Sequence, residues 1–136
     1  KSNHSMCHIG LKQLKTSSGN LNMNYRIAHF DDIDAVPCPC GMSKRAFATP
    51  DNPTASIHYV DISLDAKTHY HKTFTEIYLI LEVEGEAFIE LDGERLPVKP
   101  MTTIMIQPGC RHRAVGKMKL INTAVPTFNP EDEWFD

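Results

Sequence analysis

The apolar residues of this chain recur with the short period that is typical of β-strands. From Tyr25 onward, short β-prone runs are separated by Pro, Gly, Asn and Asp, and no long helical pattern competes with them. The Asp92-Gly93 pair between two such runs is typical of a type I′ hairpin. Several short strands at this spacing predict an all-β protein built as a sandwich or a barrel. The predicted strands cover residues 25–30, 45–48, 56–64, 69–71, 76–82, 86–91, 102–106, 111–115 and 119–125.

The run that begins at Glu76 predicts a strand with two apolar faces. Because successive side chains point to opposite faces, an inward-pointing Glu76 takes Tyr78 and Ile80 inside with it. The residues on the opposite face are Ile77, Leu79 and Leu81. A second sheet, a covering arm or a second subunit must therefore lie against that outer face. We expect a homodimer with a mainly apolar interface.

Composition indicates one globular domain. The chain has 136 residues, of which 41% are hydrophobic and 23% are charged, and these values are ordinary for a protein with one core. Residues 1–22 are polar and lack sustained apolar periodicity. We expect them to form a flexible N-terminal arm, followed by a single domain over residues 23–136.

Charge and hydropathy argue against several classes of partner. A formal net charge of −3 gives no electrostatic reason to bind nucleic acid. The longest apolar run is far shorter than the roughly 20 residues of a membrane span, and no signal-like segment is recognisable. We therefore expect a cytoplasmic protein that binds a small-molecule ligand, with no nucleic-acid or membrane partner.

The cysteines are expected to be reduced thiols that do not hold a metal. Cys38 and Cys40 are separated only by Pro39, so a disulfide between them would be strained. A zinc ribbon needs two spaced cysteine pairs, which the four cysteines do not provide.

Four other residues have the chemistry and the spacing of metal ligands. His69, His71 and Glu76 lie within one short stretch, and His112 follows a turn-like Gln-Pro-Gly. In an extended strand His69 and His71 point the same way, about 7 Å apart by rise, and can share one ion. Three imidazoles and a carboxylate suit Fe, Mn, Ni or Zn and leave coordination positions open for water or substrate. The spacing predicts one divalent transition metal with a working role.

Together these residues resemble the two motifs of the cupin superfamily, over roughly residues 56–125. The first motif is His-x-His followed by Glu, which residues 69–76 match, and the second is Pro-Gly followed by His, which residues 108–112 match. Met101 departs from the pattern, because the second motif usually opens with Gly, and Gly116 stands where it often ends in Asn. The resemblance implies a double-stranded β-barrel, or jelly roll, whose motif histidines and glutamate hold the metal.

The resemblance leaves the function open, because one fold serves many activities. Cupins include dioxygenases, isomerases and non-enzymatic binding proteins. We expect a metal-binding protein that acts on or binds a small polar organic molecule; if it is an enzyme, we expect a metal-dependent dioxygenase or isomerase. The alternative is a non-enzymatic, metal-dependent binding or sensor protein. No general base stands out in the sequence, and a base beside the open coordination site would favour an enzyme.

Three residues are candidate contacts for the small molecule. Tyr78 and Met105 are predicted to line the pocket. Arg45 ends the Pro- and Gly-containing segment 36–45, which is expected to form a turn with small buried thiols. If that segment lies over the barrel mouth instead, Arg45 can pair its guanidinium with a carboxylate or phosphate of the substrate.

Two further features are expected to be structural. His58 shares its strand face with Val60 and Ile62, which favours a core or interface histidine. The tail 130–136 combines an acidic turn, expected to be solvated, with two aromatic residues that should dock on the barrel or on a partner.

Overall fold

The computed structural model describes residues 24–39, 41–63 and 65–136, and in these residues seven strands form one antiparallel sheet. The elements are a 3₁₀ helix (Phe30–Asp32) and the strands β1 (Val36–Cys38), β2 (Gly41–Ala46), β3 (Ser56–Ile62), β4 (Thr75–Leu91), β5 (Glu94–Pro97), β6 (Thr103–Ile106) and β7 (His112–Val125). The strand order is β1-β2-β3-β7-β4-β5, and β6 pairs with β4. The all-β prediction is confirmed. The predicted arm, 1–22, lies outside the described residues, and no helix within them could cross a membrane.

The two long strands β4 and β7 form the centre of the sheet. They pair from Thr75 opposite Val125 to Leu91 opposite His112, with register shifts near residues 80–82 and 84–88. β6 pairs with the first half of β4 and β5 with its second half. Irregularities of this kind bend a strand and increase its twist, so both halves of β4 contribute side chains to one core.

The core contains the inward-facing side chains of the predicted alternation. Ile80 and Ile89 are 0% exposed and Leu120 is 1% exposed, and they belong to one buried cluster with Tyr78. Glu76 is buried on the same face. Burial of such aliphatic side chains contributes roughly 1.5–3 kcal/mol each, which makes β4 and β7 a rigid support for the polar groups beside them.

Two pairs of predicted strands are joined into single strands. Residues 76–82 and 86–91 both belong to β4, because Gly85, with φ 71°, continues the strand through a bulge. Residues 111–115 and 119–125 are likewise parts of β7, which passes through Gly116. A Cβ on Gly116 would lie 2.6 Å from the Glu86 carbonyl oxygen, so only glycine allows the two strands to approach so closely.

The first predicted strand, 25–30, is wrong. Residues 24–29 are exposed and irregular, and the 3₁₀ helix follows them. The His29 side chain accepts a hydrogen bond from the Asp31 amide, which favours a turn over an extended strand. The β-prone run pairs with no strand among the described residues, and local propensity alone does not hold it in a sheet.

The segment 36–45 also differs from the expected turn. Its residues 36–38 and 41–45 belong to the paired strands β1 and β2, and β2 pairs along its length with β3. Cys38 and Cys110 form no disulfide, whereas Cys7 and Cys40 lie outside the described residues. Because successive side chains of a strand point to opposite faces, every second side chain of β2 faces the barrel interior.

The turn predictions fit the backbone. Asp92 and Gly93 both have positive φ, 48° and 83°, as a type I′ hairpin requires. Met101 also has a positive φ of 72°, so the backbone keeps the left-handed conformation that the motif glycine would supply.

Candidate metal centre and cavity

Four side chains from three parts of the chain converge at one end of the barrel. One donor atom from each lies within 4.8 Å of the others. His69 and His112 face each other through a pair of backbone hydrogen bonds of 3.1 and 2.9 Å. Glu76 comes from β4, and the rings of His69 and His71 are 5.1 Å apart. The structure thus brings together all four residues that the sequence singled out as candidate ligands.

The three histidines are held in one tautomer. Nδ1 of His69, His71 and His112 lies 2.9, 2.7 and 2.9 Å from the carbonyl oxygens of Lys67, Asp132 and Cys110. A carbonyl oxygen only accepts hydrogen bonds, so each Nδ1 carries the proton and donates it. The Nε2 atoms are left with lone pairs directed at the cluster, as metal-binding imidazoles require.

The donor atoms at the centre fit a cation. Nε2 of His71 and His112 lie 3.3 and 2.8 Å from the Glu76 Oε2. All three atoms are buried, yet none of them forms a hydrogen bond with another described residue or with each other. Lone pairs so close together repel unless a positive charge lies among them. An N₃O donor set of this kind suits a divalent transition metal.

The protonation states of the ligands also favour metal binding. Burial raises the pKa of Glu76, but the adjacent imidazoles of His112 and His71, which attract the carboxylate when they are protonated, outweigh burial and hold this pKa well below its usual range. Burial and the neighbouring His112 lower the pKa of His69 to about 4. Burial lowers the pKa of His71, but the Glu76 carboxylate more than offsets this and raises it. A metal would therefore displace a proton from the His71–Glu76 pair.

Asn122 orients the carboxylate of Glu76. Its Nδ2 donates a 2.6 Å hydrogen bond to Glu76 Oε1, which leaves Oε2 directed at the three histidines. Asn122 lies on β7 directly opposite Tyr78 of β4. Such outer partners fix a ligand's position and basicity. Sequence reasoning missed Asn122, because a single Asn in a β-prone run carries no distinct signal.

The C-terminal tail is built into the candidate metal centre. Trp134 and Tyr70 exchange two backbone hydrogen bonds of 3.0 and 2.9 Å. The carboxylate of Asp132 accepts hydrogen bonds from the amides of Lys72 and Thr73, the Thr73 hydroxyl and the Trp134 indole N–H. Burial acts to raise the pKa of Asp132, but these hydrogen bonds lower it to about 2. The tail thus fixes the chain beside His71.

The acidic turn of the tail was expected to be solvated, and this expectation is wrong for Asp132. Asp132 is only 6% exposed, because its carboxylate collects donors from the loop that carries His71. Trp134 and Phe135 lie against the barrel, where Lys72 and Lys67 stack on their rings. The tail is therefore part of the site and not a solvated extension of it.

Glu133 is a second carboxylate beside the cluster. Its Oε1 lies 3.8 Å from the His69 Nε2, and its side chain lines the adjoining cavity. Burial, aided by the negative charge of Glu76, raises the pKa of Glu133. No sequence pattern links Glu133 to His69, 64 positions earlier, so sequence reasoning did not find it.

A cavity opens from the cluster into the barrel. It is small, about 60 Å³, and Arg45, His58, Tyr78 and Asn122 are among the residues that line it. These four residues lie in register across β2, β3, β7 and β4. A space of this size holds a few water molecules or one polar group of a ligand.

Two of the three predicted substrate contacts line the cavity, and the third does not. Tyr78 and Arg45 both line the cavity. Met105 does not line it, because it lies on β6 opposite Ile77, on the outer face of the sheet, and is 63% exposed.

His58 is buried, as expected, but it is also a wall of the cavity. Its Nε2 lies 3.0 Å from the Ser56 hydroxyl. Burial and the nearby Arg45 lower the pKa of His58 to about 4. His58 is therefore a neutral polar group at neutral pH.

Solved structures with the same architecture support the barrel fold. A protein from Planctomyces limnophilus is 41% identical, with a TM-score of 0.78, and the match covers 82% of this chain and 96% of that chain. Pac13 from Streptomyces, described as a nucleoside dehydratase, is 19% identical, with a TM-score of 0.68 and coverage of 82% and 90%. Ectoine synthase from P. lautus is 20% identical, with a TM-score of 0.65 and coverage of 81% and 88%. The last two likenesses show the fold alone. No protein-family model and no curated protein matches the chain.

Proposed function

The chain belongs to the cupin superfamily, and on that premise we propose that it is a metal-dependent enzyme that moves a proton on a small polar organic molecule. The observation that carries this proposal is the position of Glu133. Its carboxylate faces the cavity beside the four clustered residues, where a general acid or base has to lie. A binding or sensor protein has no need of such a group.

The metal in this proposal is one Fe, Mn, Ni or Zn ion, held by His69, His71, Glu76 and His112. Their donor atoms converge within 4.8 Å, and within the described part of the chain the buried ones have no hydrogen-bond partner. A divalent ion bound there supplies Lewis acidity toward an oxygen atom of the substrate.

The remaining chemistry belongs to side chains of the cavity. Glu133 takes a proton from the substrate and returns it at another position, as isomerisation requires, or to a leaving hydroxyl, as elimination requires. Tyr78 bounds the same cavity, with its ring edge toward His112, and limits where the substrate can lie. Of the two reaction classes expected from the sequence, this arrangement favours the isomerase, because moving a proton between two positions of the substrate requires a base beside the metal.

Glu133→Gln tests this proposal. Metal-loaded protein in D₂O is incubated with a panel of hydroxy acids, sugars and nucleosides and followed by NMR for deuterium incorporation or new signals. We expect the wild type to convert at least one compound, and Glu133→Gln to do so about 100-fold more slowly or worse with unchanged metal content. Glu131→Gln, the same change at an exposed position of the same turn, is the control and should be unaffected.

Two results would count against the enzyme. Equal rates for Glu133→Gln and the wild type would remove Glu133 from the reaction. Tight binding of a panel compound that is never converted would favour the alternative, a non-enzymatic binding or sensor protein.

We also propose that the chain forms a homodimer through the outer face of β4. Ile77, Leu79 and Leu81 are only half-buried there, and the exposed Met105 adjoins Ile77. An apolar face of this kind is typical of interfaces between subunits. Light scattering at micromolar concentration should report about twice the 15.3 kDa chain mass, and Leu79→Glu should yield a monomer. A wild type that stays monomeric would refute the dimer.

A further inference from the structure

The positively charged side chain of Arg45 lines the cavity, and no described carboxylate forms an ion pair with it. Its side chain forms no ion pair or hydrogen bond with any described residue, and its Nε is buried without an acceptor. The charge of Arg45 reaches Glu133 only at longer range. A guanidinium is permanently charged, and a buried donor without an acceptor is costly. This arrangement points to an acceptor that a ligand supplies.

The guanidinium is also held in a defined orientation. Its Cζ lies 4.6 Å from the centre of the Phe128 ring. Phe128 is itself fixed, because its amide donates a hydrogen bond to the Ser56 hydroxyl and its ring packs edge-on against His58. A guanidinium that is stacked on an aromatic face keeps its in-plane N–H donors available to an oxyanion.

A second unpartnered donor lies on the same wall. Ser43 is 3% exposed, its hydroxyl forms no hydrogen bond with a described residue, and it lines the cavity with Arg45. The two residues are two positions apart on β2, so their side chains share one face of the strand. His58, directly across from Arg45, stays neutral, so this wall carries a single positive charge.

We infer that Arg45 and Ser43 bind an anionic group of the substrate, a carboxylate or a phosphate, at the β2 wall of the cavity. The inference rests on the proposed function, because it gives the substrate two anchored ends. One end presents an oxygen to the metal and the other an oxyanion to Arg45. The substrate class is then a small acid with a second oxygen-bearing group.

The test measures binding of two-ended probes by calorimetry to the metal-loaded protein. The probes are the dicarboxylates malonate, succinate, glutarate and adipate, their monoamides, and phosphoglycolate. We expect one chain length to bind best and Arg45→Gln to weaken that probe about 10- to 100-fold without loss of metal. The monoamide of the same chain length lacks one carboxylate. The wild type should therefore bind it about as weakly as Arg45→Gln binds the diacid. Tighter binding of phosphoglycolate, with the same Arg45 dependence, would identify the anion as a phosphate.

Three variants serve as controls in this experiment. Arg45→Lys should recover part of the affinity, and Ser43→Ala should cost less, about 2- to 10-fold. Arg26→Gln removes an exposed arginine that pairs with Asp51 outside the cavity and should change nothing. Equal affinities of Arg45→Gln and the wild type for every acid, or no preference for acids over monoamides, would overturn the inference.

Different results would refute the anion site and the proposed enzymatic function. Arg45 is not one of the four clustered residues, so its effect on acid binding should persist at lower affinity in chelator-treated protein. A chain that takes up no metal but keeps this Arg45 effect would refute the enzyme and retain the anion site. A chain that binds metal and converts a neutral compound, with no Arg45 effect, would do the reverse.

Discussion

His112→Ala should reduce metal binding by at least about 100-fold and leave a folded chain. His112 is among the most deeply buried of the four clustered residues, and its Nε2 lies closest to the Glu76 carboxylate. Removing it leaves three donors and an unbalanced buried carboxylate, so the remaining site should favour a protonated Glu76 over a bound cation. His71→Ala should behave in the same way. Dialysis against each metal followed by elemental analysis measures the loss.

The matched control for His112→Ala is His29→Ala. His29 is exposed and lies at the start of the 3₁₀ helix, away from the cavity. It tests whether any histidine of this chain carries weakly bound metal. Metal content that falls equally in both variants, or in neither, would mean that the cluster at His112 is not the metal site.

Asp132→Ala should destabilise the chain by about 2 kcal/mol and lower metal affinity about 10-fold or more. The carboxylate gathers donors from the loop 72–73 and from Trp134, and these would lose their acceptor. The carbonyl group of the same residue receives the Nδ1 proton of His71, so a loosened tail misplaces that ligand. Denaturant unfolding and competitive metal titration measure the two effects.

The Asp132 contribution to stability should also depend on pH. Its pKa is lowered from 3.8 to about 2 in the folded chain, so folding favours the ionised form. The stabilisation is therefore complete above about pH 4 and is lost as pH falls toward 2. The gap in unfolding free energy between the wild type and Asp132→Ala should close over that window. Glu131→Ala, an exposed change in the same turn, should leave stability and metal affinity unchanged at any pH.

The sequence predicted those parts of the fold that depend on local pattern. Alternation along β4 placed Glu76, Tyr78 and Ile80 on one buried face, and the Asp92-Gly93 pair marked its hairpin, because side-chain period and turn conformation are local properties. The strand predicted at 25–30 failed for a different reason. A β-prone run forms a strand only where another strand accepts its hydrogen bonds, and the sequence does not state which runs become neighbours.

The same difference between local pattern and long-range pairing explains which residues of the candidate site were predicted. His69, His71 and Glu76 were found because one strand and its loop carry them at ligand spacing. Glu133 and Asn122 were missed because they reach the site through strand pairing and the return of the tail, which join positions far apart in the chain. Met105 was misassigned as a pocket residue for a related reason, since β6 turns that side chain to the outer face.

The central claim is that one transition metal is held by the cluster of His69, His71, Glu76 and His112. The most direct measurement is elemental analysis of metal-replete wild type and His112→Ala after removal of loosely bound ions. The account predicts close to one Fe, Mn, Ni or Zn ion per wild-type chain and almost none in the variant. No metal in the wild type after exposure to each of these ions, or the same content in His112→Ala, would contradict it.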